Sequence, residues 1–197
     1  MRRLAPEEMH WMNEPPRVAK GPGGITVETA PETDFWRTTG YGFVHDDGHF
    51  LGAPLGSAAA IEVTFSADFE AQFDQAGLML RADAETWLKA GVERSDGRLW
   101  ASVVVTNGRS DWSVAPLPER SADDELTFRA SRQGDAVTVR YRETADERWR
   151  LLRLAYLPPE AKLLAGPMCC SPTRGGLSVR FGPVRMGPPD DRLHEEG

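Results

Sequence analysis

The chain has 197 residues, 40% hydrophobic and 27% charged, enough for one domain with a full core and free of collagenous or low-complexity bias. A formal net charge of -7 opposes attraction to phosphate backbones or anionic lipid, so neither a nucleic-acid nor a membrane partner is expected. The opening MRRLAPEEMHWMNEPP has two arginines but no apolar run after them. No later stretch reaches the roughly 20 apolar residues of a spanning helix, and a cytoplasmic setting is the expectation.

In chain order, residues 1–10 read as a flexible segment and 25–28 as a short strand. FWRTTGYGFVHDDGHF, at 35–50, reads as a loop followed by a hairpin turned at Asp47-Gly48. Residues 59–72 alternate apolar Ile61, Val63, Phe65, Ala67, Phe69 and Ala71 with polar Glu62, Thr64, Ser66, Asp68, Glu70 and Gln72, which predicts a long half-buried strand. In DQAGLMLRADAETWLKAGVE, at 74–93, Leu78, Leu80, Leu88, Ala90 and Val92 alternate with a set that includes Arg81, Trp87, Lys89 and Glu93. Two amphipathic strands joined by an acidic turn follow, with those four residues on the solvent side.

Asp96-Gly97 fits a tight type I′ turn and Asn107-Gly108 is a second turn signal, so 76–115 reads as a four-strand antiparallel meander. A third hairpin spans 126–132 and 136–142 across Gly134-Asp135, with Thr138, Arg140 and Arg142 as plain surface. Segments 150–155, 163–168 and 177–186 complete the strands, and 187–197 reads as an acidic disordered tail. With 19 glycines and 15 prolines spread between short strands, the fold class is all-β: a jelly-roll sandwich of two antiparallel sheets, forming a single domain over 11–186. The neighbouring Cys169 and Cys170 are expected to be free thiols, since a bridge between adjacent residues is strained.

Four blocks carry a family likeness: FWRTTGYGFVHDDGHF at 35–50, the 74–93 stretch, SVVVTNGRSDWS at 102–113 and GPMCCSPTRGGLSVRFGPVRM at 166–186. Together, from Trp11 to Met186, the chain resembles the concanavalin A-like family of unknown function whose fungal relatives are described as regulation-of-enolase proteins. The resemblance implies a jelly roll like that of legume lectins and β-glucanases, a cytoplasmic setting, and no catalytic residues to carry over.

The residues themselves hold no complete glycosidase, triad, P-loop or zinc motif. The E-x-D-x-x-E strand of a glucanase is absent, and Asp68 with Glu70 reads as solvated surface. His45, Asp46, Asp47 and His49 are metal-ligand types without a standard spacing, so no metal is expected, and no cofactor. What remains is a sheet face carrying an aromatic plate among charged groups, where sugar C–H faces stack and hydroxyls find hydrogen bonds. The expected ligand-binding residues are Tyr41, His49, Arg81, Trp87, Lys89, Glu93, Asp111 and Trp112, with Trp87 and Trp112 stacking on a carbohydrate or small polar metabolite. Two alternatives stand beside this binding or regulatory role. One is a glycoside-acting enzyme using Glu93 with Asp111 or His49, and the other a module whose partner is a glycolytic enzyme.

Overall fold

In the computed structural model, which describes residues 1–194, two antiparallel sheets stack face to face as a jelly-roll sandwich. One sheet runs in the order Ser110–Pro116, Arg98–Asn107, Thr86–Ser95, Gln75–Arg81, Leu163–Cys170, His49–Leu55 and His10–Met12. The other runs Arg150–Tyr156, Ala136–Arg142, Leu126–Gln133, Ala58–Ala67, Ser178–Phe181, Gly24–Glu28 and Arg17–Gly21, with Arg185–Gly187 and Arg2–Arg3 added beside Ala58–Ala67. Strand period two puts Leu78, Leu80, Leu88 and Val103 of the first sheet against Val63, Phe65, Phe128 and Val139 of the second. Burying each such side chain stabilises the fold by about 1.5–3 kcal/mol.

The meander forms in the expected order, and Asp96 (φ 52°) and Gly97 (φ 74°) both take the positive φ of a type I′ turn. The 59–72 strand stops at Ala67 despite its continuing alternation. The fully buried Asp74 carboxylate accepts from the backbone N–H of Glu70 (3.1 Å) and Ala71 (3.0 Å) and is gripped by Arg174, which bends the chain where the pattern runs on.

Parts of the first ten residues pair with the sheets: Arg2–Arg3 on one and His10 on the other. Arg2 and Arg3 lie opposite Met186 and Arg185, and Leu4 is buried in the core. Beyond Gly187, the Asp190 carboxylate bridges Arg129 (2.6 Å) and Arg140, and the Asp190 N–H donates to Ser131 Oγ at 2.8 Å. Arg140, expected as plain surface, is therefore buried under this segment. The part of the acidic tail at 195–197 lies outside the described residues.

Candidate functional site

The outer face of the seven-stranded sheet carries Gln75, Met79, Arg81, Trp87, Lys89, Glu93, Val104 and Trp112, because these positions share parity across Gln75–Arg81, Thr86–Ser95, Arg98–Asn107 and Ser110–Pro116. The expected common face of Arg81, Trp87, Lys89 and Glu93 thus exists. Its exposure does not. All four are buried, because the 35–50 segment folds over one end of the face.

That cover is a two-stranded hairpin, Phe35–Arg37 with Val44–Asp46, turned through Thr38 to Phe43. Asp47-Gly48, expected as the hairpin turn, is instead its base. Both backbone N–H groups donate to the Asp34 carbonyl, at 3.1 and 2.9 Å, and Asp47 Oδ1 accepts from the Asp34 N–H at 2.8 Å. Phe35 enters a second apolar cluster with Phe50, Met79, Trp87, Val104, Met168 and Cys170. Trp87 is therefore a core residue of this cluster, 1% exposed, its indole N–H donating to the Ala84 carbonyl at 3.3 Å. It cannot be a stacking plate. Arg81 is likewise turned away from the cavity, pairing through Nη2 with Asp46 Oδ2 at 2.7 Å, while its Nη1 and Asp46 Oδ1 are buried without a hydrogen-bond partner among the described residues.

Two other expected residues leave the site by parity. His49 lies opposite Cys169 on the inter-sheet side. Its Nδ1 donates to the Asn13 carbonyl at 2.6 Å and its Nε2 accepts from the Ala30 N–H at 2.9 Å, which fixes a neutral tautomer, and burial pushes its pKa down. Asp111 lies opposite Val105, also facing inward, and pairs at the edge with Arg153 at 3.1 Å. Neither can join Glu93, so both pairings of the glycosidase alternative come apart. His45, Asp46, Asp47 and His49 do not converge either, because Asp46 is committed to Arg81 and His49 to the backbone.

Tyr41, Lys89, Glu93 and Trp112 do come together, around a cavity of about 230 Å³ between the hairpin and the sheet. Trp36, Tyr41, Phe43, Phe73 and Trp112 form its walls, and Asp34, Gln75, Lys89 and Glu93 its floor. Lys89 Nζ lies 3.0 Å from Asp34 Oδ1. Burial is the largest single influence and lowers the Lys89 pKa, but Asp34, Cys170 and Glu93 together outweigh it and the ammonium is held above its usual value. Glu93 Oε2 accepts from Ser102 Oγ at 2.7 Å and from Trp112 Nε1 at 3.2 Å, and Trp112 Nε1 also lies 3.0 Å from Ser102 Oγ. Burial nonetheless pushes the Glu93 carboxyl above the ordinary carboxylate range. Cys170, beneath the floor, is pushed up strongly by burial and is no nucleophile in that state. Cys169 faces the inter-sheet core while Cys170 faces the outer cluster, because neighbours on a strand point to opposite faces.

Gln75 and Asp34 on the floor, and Trp36, Phe43 and Phe73 in the walls, are lining residues the sequence reading missed. Gln75 lies directly opposite Glu93 and is 6% exposed, and among the described residues no side chain pairs with its amide. Extending the parity of Arg81 and Met79 two steps past Gly77 would have found it. Asp34 sits in a loop without periodicity and had no such signal. A second cavity, of about 170 Å³ beside Leu4, Trp11 and Phe181, has apolar walls with only Arg3 and Lys20 as charged neighbours, and no buried polar side chain in its lining.

The profile of the family described as Protein of unknown function (DUF1349) matches residues 11–189. A protein of Saccharomyces cerevisiae named Regulation of enolase protein 1 is 44% identical over 172 residues, covering 87% of this chain and 85% of its own length. A crystal structure described as a functionally unknown protein from Saccharomyces cerevisiae superposes with a TM-score of 0.88 at 40% identity, over 94% of this chain and 99% of that one. The GH43 protein BlXynB (K247S mutant) of Bacillus licheniformis matches with a TM-score of 0.69 at 12% identity, over 95% of this chain and 38% of that one. At that identity the likeness concerns the sandwich alone.

Proposed function

The chain belongs to the family described as Protein of unknown function (DUF1349), and from that premise we propose that it binds a carbohydrate or related small polar metabolite in the cavity beneath the hairpin, in a binding or regulatory role. Gln75 carries this reading. Its amide lines the cavity with no protein partner among the described residues, open to the solvent there, and ligand hydroxyls, which both donate and accept, would take the place of that water. The half-exposed Trp112 and the exposed Tyr41 offer ring faces at the rim for the C–H side of a sugar. At about 230 Å³ the cavity is smaller than the roughly 300 Å³ at which pockets for drug-sized ligands begin, which suits a single ring. The free thiols of Cys169 and Cys170 fit a cytoplasmic setting.

The test is a thermal-shift panel of monosaccharides, polyols and sugar phosphates on the intact chain. A ligand of the native state raises Tm, and Gln75→Leu and Trp112→Ala should each abolish that shift while leaving the unliganded domain folded. No shift from any compound at millimolar concentration would sink the reading.

A second reading rests on the name of the yeast relative and on the exposed Tyr41, Phe43 and Val44 at the hairpin: the domain contacts an enolase through this apolar tip. Purified enolase should then be retained by the intact chain and lost with Tyr41→Ala/Phe43→Ala.

A further inference from the structure

Two carboxyls and one ammonium line the cavity, and their formal charges do not balance. Lys89 and Asp34 form an ion pair on the floor. Glu93 has no ion pair among the described residues; its two hydrogen-bond donors, Ser102 and Trp112, are neutral, and Lys89 reaches it only through space. An ionised Glu93 therefore leaves one net negative charge beneath walls made of Trp36, Tyr41, Phe43 and Trp112. Aromatic ring faces carry the negative side of the ring quadrupole, so walls and floor favour the same sign of guest. The Gln75 carbonyl is a further acceptor beside Glu93, with no protein donor among the described residues.

We propose that the ligand is a hydroxylated organic cation, an amino sugar being the simplest member, with its ammonium set against Glu93 and the aromatic walls and a hydroxyl on Gln75. This rests on the small-polar-ligand reading above and narrows it. A neutral sugar brings nothing to hold Glu93 ionised, and burial already favours its protonated form. A sugar acid or sugar phosphate brings a second negative charge beside the first, with Lys89 already engaged by Asp34.

The experiment is isothermal titration of the intact chain with glucosamine, glucose and N-acetylglucosamine at one pH and ionic strength. All three share the ring; only the first carries the ammonium. Glucosamine should bind about tenfold or more tightly than either neutral sugar, the scale of a buried charge-assisted contact. Glu93→Gln, which retains an oxygen for Ser102 and Trp112, should bring the three within about twofold of one another. Glucose matching or exceeding glucosamine overturns this inference while leaving sugar binding intact, as does a preference that survives in a folded Glu93→Gln protein. If that variant does not fold, the ratio on the unaltered chain decides. Absence of binding by all three, together with an empty thermal-shift panel, removes both readings.

Discussion

Trp87 and Trp112 stand on one face of one sheet, yet the first is 1% exposed and the second 39%. Parity set the face, and the hairpin set the exposure. Their replacements should therefore behave oppositely. Trp87→Ala opens a cavity among Phe35, Phe50 and Met168 and should cost about 3–5 kcal/mol in urea denaturation. Trp112→Ala removes one indole donor and should cost about 1 kcal/mol, with its main effect on ligand binding. A Trp87→Ala protein of unchanged stability would contradict this packing. Glu93 makes a second prediction at this scale. Its folded pKa is raised by burial, so the folded state holds the proton more tightly than the unfolded chain. Stability conferred by that proton is present at low pH and falls as pH rises, from about 4.3, where an unfolded glutamate ionises, through the raised folded value. Tm of Glu93→Gln measured across this window should lack that fall, so the variant's advantage over the unaltered chain grows with pH. An advantage that shrinks with rising pH would reverse the assigned shift.

The hairpin over Phe35–Arg37 and Val44–Asp46 is the element that makes the site, and the one least legible in the sequence. Strands of the meander were readable because alternation and turn dipeptides are local signals. Asp47-Gly48 carries the same kind of signal and misleads, because its N–H groups serve Asp34, 13 and 14 positions back, rather than closing a two-residue turn. The true turn holds Thr38, Gly40 and Gly42 at positive φ (67°, 76° and 77°) within a glycine-spaced aromatic run that resembles a loop. Where the hairpin lies was not written locally at all; it depends on Phe35 meeting Trp87 and on Arg81 meeting Asp46. Gly48 tests the seat. A Cβ there would stand 2.4 Å from the fully buried Phe35 ring, which has no room to yield. Gly48→Ala should lower Tm by several degrees, about 1–3 kcal/mol of overpacking, and weaken ligand binding by displacing Trp36, Tyr41 and Phe43. Equal Tm and equal affinity would mean that the hairpin is not held by this contact.

At the scale of the whole molecule, the two outer faces of the sandwich are covered in different ways, and each cover meets a charged floor. The hairpin lies over Lys89, Arg81 and Glu93. On the opposite sheet the chain after Gly187 lies over Arg129 and Arg140, with Asp190 as the shared anion and the carbonyls of Pro188, Arg192 and Leu193 accepting from the same two guanidiniums. Composition alone presented that segment as an acidic tail, because nothing local marks which carboxylate meets which arginine across 50 and 61 positions. Ending the chain at Gly187 removes Asp190 and the carbonyls, but it also returns both guanidiniums to water, where they no longer need partners. The net cost should then be that of a charged hydrogen-bond network made solvent-exposed, about 1.5–3 kcal/mol, rather than the 3–5 kcal/mol of a buried charge stranded inside the protein. Glu62, which also pairs with Arg129 at 2.8 Å, keeps one partner in place. Because the tail and the pocket lie on opposite sheets with the inter-sheet core between them, the two sites should act independently. The shortened chain should unfold at lower urea with an unchanged dissociation constant for any ligand found in the pocket. Affinity that falls together with stability would show that the tail reaches the pocket through the core.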